Sequence, residues 1–98
     1  MKFTMKPIII EAFQLTYNAA RGRELVPVWA VQAVKDGIIQ ISYTDKIEGS
    51  QTGVIKTPDK DIFVSPNDWI IKGIEGDFSV CKSNCFNDFY EISDNTSN

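Results

Sequence analysis

The chain contains no histidine. That absence removes Ser-His-Asp and Cys-His triads, imidazole acid-base chemistry and nearly every mixed zinc site. Cysteine is scarce: Cys81 and Cys85 are too few for a thiolate-only zinc site. In a reducing compartment they are expected to be idle thiols rather than a disulfide. No metal and no cofactor is therefore expected. Long apolar runs are missing too, the longest lying around Pro7 to Ile10, against the roughly 20 residues a membrane span needs. The opening Met1 to Lys6 has charge but neither an apolar stretch nor a small-residue cleavage site, so a cytoplasmic location is expected. Excess positive charge is absent, the net charge being -3 and the pI about 4.8, which argues against nonspecific binding to duplex nucleic acid. These absences favour binding over catalysis. An enzyme would have to work through carboxylates such as Glu11.

The average charge hides an asymmetry. Residues 1–35 carry Lys2, Lys6, Arg21, Arg23 and Lys35 against Glu11 and Glu24, whereas residues 36–98 carry five lysines against eleven carboxylates. An anionic ligand should be met by the first third of the chain, or by lysines that folding brings to it.

What is present describes one folded domain. Ninety-eight residues, 43% of them hydrophobic and 23% charged, suffice for a single core, placed here at residues 1–92 with a flexible polar tail at 93–98. Thirteen isoleucines against five alanines tilt the chain toward strand. Pro7 to Gln14 reads as the first strand and residues 15–24 as a loop or a short irregular turn. Pro27 opens a helix through Lys35 that Gly37 closes. Ile38 to Tyr43 alternates as a half-exposed strand with Ile39, Ile41 and Tyr43 on one face, and residues 44–53 form the segment expected to be most mobile. Val54–Thr57 and Asp61–Ser65 form a hairpin around Pro58-Asp59-Lys60. After Pro66-Asn67-Asp68, Trp69–Ile74 and Asp77–Lys82 form a second hairpin. A two-residue Glu75-Gly76 loop there would set Trp69 against Lys82, Ile71 against Val80 and Gly73 against Phe78. Ser83–Asp88 reads as a helical turn and Phe89–Ile92 as a last strand. The expected class is α+β: a small, mostly antiparallel domain of six or seven short strands, in a bent sheet or open barrel, with one packed helix.

Several residues could carry binding chemistry. Glu11 and Lys72 interrupt apolar patterns, so each needs a partner: either they satisfy one another, or they line a pocket in which Glu11 and Gln14 meet a base edge and Lys72 a phosphate. Arg21 and Arg23 are the only arginines and bracket Gly22 just before the helix, so they are either an anion site or two solvated side chains. Among the aromatics, Trp29, Phe63 and Phe86 are assigned to packing, while Tyr17, Tyr43, Trp69 and Phe78 are candidates for stacking on a base. Trp69 opposite Lys82 would set a ring beside an ammonium, for base and phosphate together or as a cation–π contact.

Two blocks of sequence carry a resemblance. Lys6-Pro7-Ile8-Ile9-Ile10-Glu11-Ala12-Phe13-Gln14, and Ser65-Pro66-Asn67-Asp68-Trp69-Ile70-Ile71-Lys72-Gly73 followed by Gly76-Asp77-Phe78, Cys81-Lys82, Phe86 and Tyr90-Glu91, resemble a widespread family of small bacteriophage and prophage proteins. About half of the chain is covered. Asn67 stands where that family has glycine, and Ser83-Asn84-Cys85 replaces its proline-containing turn. The pattern is also similar to viral sponge proteins that sequester the cyclic oligonucleotide signals of CBASS antiviral defence. The resemblance implies a homotetramer in the bacterial host cytoplasm that binds 3′,3′-cyclic dinucleotides, such as cyclic GMP-AMP, without cleaving them. The alternative is a phage accessory or structural interaction protein, or an inhibitor of a host enzyme.

Overall fold

The computed structural model describes residues 1–3 and 9–90. Six strands fall into two three-stranded antiparallel sheets. In chain order the elements are β1 (Glu11–Gln14), α1 (Tyr17–Ala20), α2 (Val28–Lys35), β2 (Ile39–Ser42), β3 (Thr52–Lys56), β4 (Asp61–Val64), β5 (Trp69–Lys72), β6 (Phe78–Cys81) and α3 (Phe86–Phe89). The first sheet runs β1-β5-β6 and the second β2-β3-β4. The α+β class and the antiparallel strands are as expected, with the strands divided between two sheets.

The first strand is shorter than its sequence suggests. Lys6, Pro7 and Ile8 lie outside the described residues, and regular pairing begins at Glu11, opposite Lys72. Residues 15–24 are not all loop. Thr16 caps α1, its side-chain oxygen accepting from the Ala19 N–H at 3.0 Å, a role that suits a short hydroxyl side chain at a helix start. Leu15 between them is fully buried.

The boundaries of α2 follow their local signals. Pro27 stands at the N-cap, one position before the first turn, and its carbonyl accepts from Ala30 and Val31 at 3.0 and 3.2 Å. At the far end Gly37 takes φ +77°. Ile38 N–H reaches the Ala33 carbonyl at 3.0 Å and Gly37 N–H that of Val34 at 3.1 Å, the paired bonds of a Schellman closure. The helix buries Ala30 and Ala33 with Trp29 partly covered, leaving Val28, Val31 and Val34 outward.

In the second sheet Ile39 is buried while Gln40 and Ser42 are exposed. Tyr43 lies beyond the end of β2 and is exposed, not on the inner face where alternation would put it. β3 starts at Thr52, two residues earlier than the sequence suggests, and Gln51 before it is buried. The preceding loop is organised by Ser50, whose Oγ accepts from Thr44 N–H at 2.9 Å and donates to the Ile47 carbonyl at 2.7 Å. Gly53 gives the core room: a Cβ there would sit 3.4 Å from the Gln40 carbonyl and Val64 and 3.6 Å from Leu15.

The β5–β6 hairpin corrects the expected register by one residue. Trp69 pairs with Cys81, Ile70 with Val80, Ile71 with Ser79 and Lys72 with Phe78. The loop has three residues, Ile74-Glu75-Gly76: Gly73 N–H bonds the Asp77 carbonyl at 2.7 Å, Gly76 N–H bonds Gly73 at 2.9 Å, and Gly76 takes φ +86°. A type I turn closed by a left-handed glycine is a common three-residue hairpin, and one extra loop residue changes every cross-strand pair. The expected Trp69–Lys82 and Gly73–Phe78 pairs therefore do not form. At the end of the described chain, Phe89 belongs to α3 rather than to a strand; residues 91–98, with the predicted last strand's remainder and tail, lie outside the described residues.

The core joins both sheets and α2 through Phe13, Leu15, Ala30, Ala33, Ile39, Ile55, Val64 and Ile70. Each buried Leu, Ile or Phe contributes about 1.5–3 kcal/mol by leaving water, and two-turn α2 could not persist without it. Phe63, assigned to packing by sequence, is instead 74% exposed on β4.

Candidate functional site

A groove of about 420 Å³ runs between α1, α2 and the first two strands, lined by Phe13, Ala19, Val26, Ala30, Val31 and Ile41 among others. Its walls are apolar, with Lys35 as the charged lining residue and Gly22 at the turn after α1. Gly22, at φ +74°, lets the chain reverse after one helical turn, which sets Arg21 and Arg23 on either side of a groove-lining position. The lysine and the small α1 alanines were not singled out by sequence. The Thr16 cap before Ala19-Ala20 is the signal that would have found this short helix, and with it the wall.

The two arginines have different surroundings. Arg21 is mostly covered, its guanidinium 4.9 Å from the Tyr17 ring centre and 3.8 Å from the exposed Asp45 carboxylate. Arg23 is exposed and makes no ion pair among the described residues. Tyr17 is half-buried, meets Tyr43 edge to face at 6.2 Å and donates its hydroxyl to the Thr44 carbonyl at 3.4 Å. Of the stacking candidates, Tyr17 and Tyr43 thus stand together beside Arg21.

The remaining candidates lie on the first sheet. Glu11 and Lys72 are register partners, 3.7 Å apart and both solvated, so the reading in which they satisfy one another is the one the geometry supplies. A solvated pair of this kind stabilises by about 0–1 kcal/mol, and neither is the buried charge that the strand pattern suggested. Phe78 is half-buried and stacked on Trp29 at 5.8 Å, with Trp29 edge-on to Phe13 at 5.7 Å. Gln14 donates to the Asn67 carbonyl at 3.0 Å. Trp69 stacks on Phe86 at 4.0 Å, and Phe86 on Tyr90 at 5.0 Å, so one face of the indole is already covered. Lys82, instead of flanking that indole from across the hairpin, reaches buried Asp68 at 3.1 Å.

Folding therefore groups the sequence candidates in two places: Tyr17, Tyr43 and Arg21 together, with Arg23 two residues on beyond groove-lining Gly22, and Glu11, Gln14, Trp69, Lys72, Phe78 and Lys82 on the first sheet, each of this second set except Trp69 and Phe78 already bonded within the chain. The thiols remain free, both half-buried. Burial, then the neighbouring Cys85, Asp68 and Asp88, pushes the Cys81 thiol above its usual pKa. Among the described residues no helix is long and apolar enough to cross a membrane.

No protein family, no curated protein and no solved structure matches the chain.

Proposed function

We propose that this chain is a phage-encoded sponge that binds cyclic di- or oligonucleotide signals in the host cytoplasm and withholds them from CBASS effectors without cleaving them. The observation that carries the reading is the groove: apolar walls suited to a base, lined by Lys35 and by Gly22, the residue between Arg21 and Arg23. Lys35 is the charged lining residue, and the chain's only two arginines flank Gly22 in sequence, in an otherwise acidic protein. Its volume falls in the 300–1,000 Å³ range of small-molecule sites. Phosphate recognition is assigned to this cluster because its arginines are the chain's only guanidinium groups and flank a groove-lining glycine, whereas Lys82 is held by buried Asp68 and Lys72 lies on the first sheet. The Arg21–Asp45 pair is loose and solvated on the aspartate side, so exchanging that carboxylate for a phosphate costs little. One groove accommodates one base; a cyclic dinucleotide presents two, which favours a homo-oligomer, a tetramer in the resembling proteins.

Calorimetry with 3′,3′-cyclic GMP-AMP and a panel of cyclic di- and trinucleotides tests this. A ligand at a hundredfold its dissociation constant should stabilise the fold by about 2.7 kcal/mol. Replacing Arg21 or Arg23 by Ala should weaken binding by about 1.5–3 kcal/mol each, the range for charge-assisted hydrogen bonds, and Lys72→Ala should leave it intact. Nucleotide released by heating should be chemically unchanged. No stabilisation by any member of the panel, or a linear product, overturns the proposal.

A further inference from the structure

The segment between β2 and β3 is fastened to α1 beside the candidate site. Tyr17 and Arg21 are four residues apart, so they share one face of that single turn, and the Arg21 guanidinium lies 4.9 Å from the Tyr17 ring centre. Three consecutive residues after β2 meet this face. Tyr43 stands edge-on to the Tyr17 ring at 6.2 Å, the Thr44 carbonyl accepts the Tyr17 hydroxyl at 3.4 Å, and the Asp45 carboxylate lies 3.8 Å from Arg21. The loop keeps its own shape: Ser50 Oγ bonds the Thr44 N–H at 2.9 Å and the Ile47 carbonyl at 2.7 Å, and the Ile47 N–H returns to the Thr44 carbonyl at 3.2 Å. The Arg21–Asp45 contact is therefore not what builds the loop; it ties a self-bonded loop to α1.

We propose that Asp45 is an internal competitor for the ligand phosphate: its carboxylate occupies Arg21 in the free chain, and a bound phosphate displaces it and unfastens the 43–50 loop from α1 at that point. The inference rests on the sponge reading in taking Arg21 as a phosphate contact, and adds what regulates that contact. The pair is asymmetric. The Arg21 side chain is 23% exposed and backed by Tyr17, whereas that of Asp45 is 70% exposed. The carboxylate can therefore leave for water at little cost while the guanidinium stays in place. At 3.8 Å the contact is ionic without being a hydrogen bond, so Asp45 leaves the fork of guanidinium N–H donors unused, and a phosphate that takes two of them gains more than the carboxylate gives up. A phosphate arriving without that displacement would set two anions beside one guanidinium, and their repulsion would weaken it. Glu24 and Asp36, the acids next in sequence to Arg23 and Lys35, are engaged differently: they accept from the Thr16 hydroxyl at 3.2 Å and the Gln32 amide at 2.9 Å. Asp45 alone among the described carboxylates pairs with an arginine.

NMR of the full chain without ligand reads the tie directly. Asp45→Asn should move the Arg21 Nε–H resonance and those of the Tyr17 and Tyr43 rings, whereas Glu48→Gln, which removes the same charge from the same exposed loop, should not. Inorganic pyrophosphate, an anion without a base, should move the same resonances in the parent chain. By calorimetry Asp45→Asn should bind pyrophosphate about two- to fivefold more tightly, the gain from removing one solvated ion pair, and Glu48→Gln should gain less. In an Arg21→Gln background the gain from Asp45→Asn should vanish, because the competition is for that guanidinium. Cyclic GMP-AMP titrated into the same variants should follow the same order. An Arg21 resonance unmoved by Asp45→Asn overturns the inference, and so does a gain that survives in the Arg21→Gln background. Pyrophosphate binding in the expected order with no affinity for any cyclic nucleotide upholds the role of Asp45 and rejects the sponge. Cyclic nucleotide binding unchanged by Asp45→Asn keeps the sponge and rejects the inference, and failure of both anions to bind rejects both.

Discussion

Replacing Asp68 by Ala separates two roles of one buried carboxylate. Asp68 is 3% exposed, and its Oδ2 accepts both the Ser65 N–H at 3.0 Å and the Lys82 ammonium at 3.1 Å. The first bond braces the turn in which Asp68 N–H returns to the Ser65 carbonyl at 3.1 Å while Asn67 sits at φ +67°. A charge-assisted bond to a backbone N–H is worth about 1.5–3 kcal/mol. The ammonium is 62% exposed, so after screening its pair adds about 0–1 kcal/mol. With Lys82 removed, the carboxylate keeps the Ser65 N–H. Asp68→Ala should then cost about 2–3 kcal/mol, a fall in Tm of roughly 10–20 °C for a domain of this size. Asp68→Asn, which keeps an acceptor for Ser65, should cost about half as much, and Lys82→Ala less than about 1 kcal/mol. Urea unfolding followed by tryptophan fluorescence reads all three, Trp69 being the next residue, and unchanged m values would confirm that the same transition is compared. A Lys82→Ala cost equal to that of Asp68→Ala would refute the reasoning, because it would mean that the ion pair rather than the turn depends on the carboxylate.

Leu15→Ala should destabilise by about 3–5 kcal/mol by urea unfolding, since Leu15 is fully buried where both sheets meet and Gly53 leaves no side chain to fill the space. Gly76→Ala should cost about 1–2 kcal/mol: a Cβ finds open space there, but φ +86° is unfavourable for any L side chain. Thermal melts of Gly76→Ala and Gly76→Asn check this, with Asn the less harmful. Alkylation at pH 8 followed by peptide mass mapping should find Cys81 reacting more slowly than a free thiol, and faster as pH rises, because its raised pKa leaves less thiolate at any pH below it.

The elements whose signals lie within a few residues were legible in the sequence. Gly37 marked the end of α2 because a left-handed C-terminal residue is a local backbone requirement, and Pro58 and Pro66 marked turns for the same kind of reason. Asn67 takes the left-handed region, which its short polar side chain tolerates better than most. The β5–β6 register was not legible, because two- and three-residue loops can both use Gly76, and the hydrogen bonds from Gly73 to Asp77 select the longer. Single-turn α1 was hidden in a polar stretch whose helix is worth forming only when Leu15 docks in the core.

The candidate site divides along the same line. Composition alone determined that imidazole chemistry is absent and that both arginines lie in the net-basic third. Tertiary structure decided which cations are spoken for, placing Glu11 opposite Lys72 and Asp68 beneath Lys82. It also decided which hydrophobic residues face water, turning Phe63 and the α2 valines outward while Ala30 and Ala33 go in. Hydropathy counts how much apolar surface a segment owns, but the covering of one side or the other depends on what chains distant in sequence bring against it. Charge behaves alike: a lysine's sign is a property of the residue, whereas its partner is set by the registers of strands about sixty residues apart.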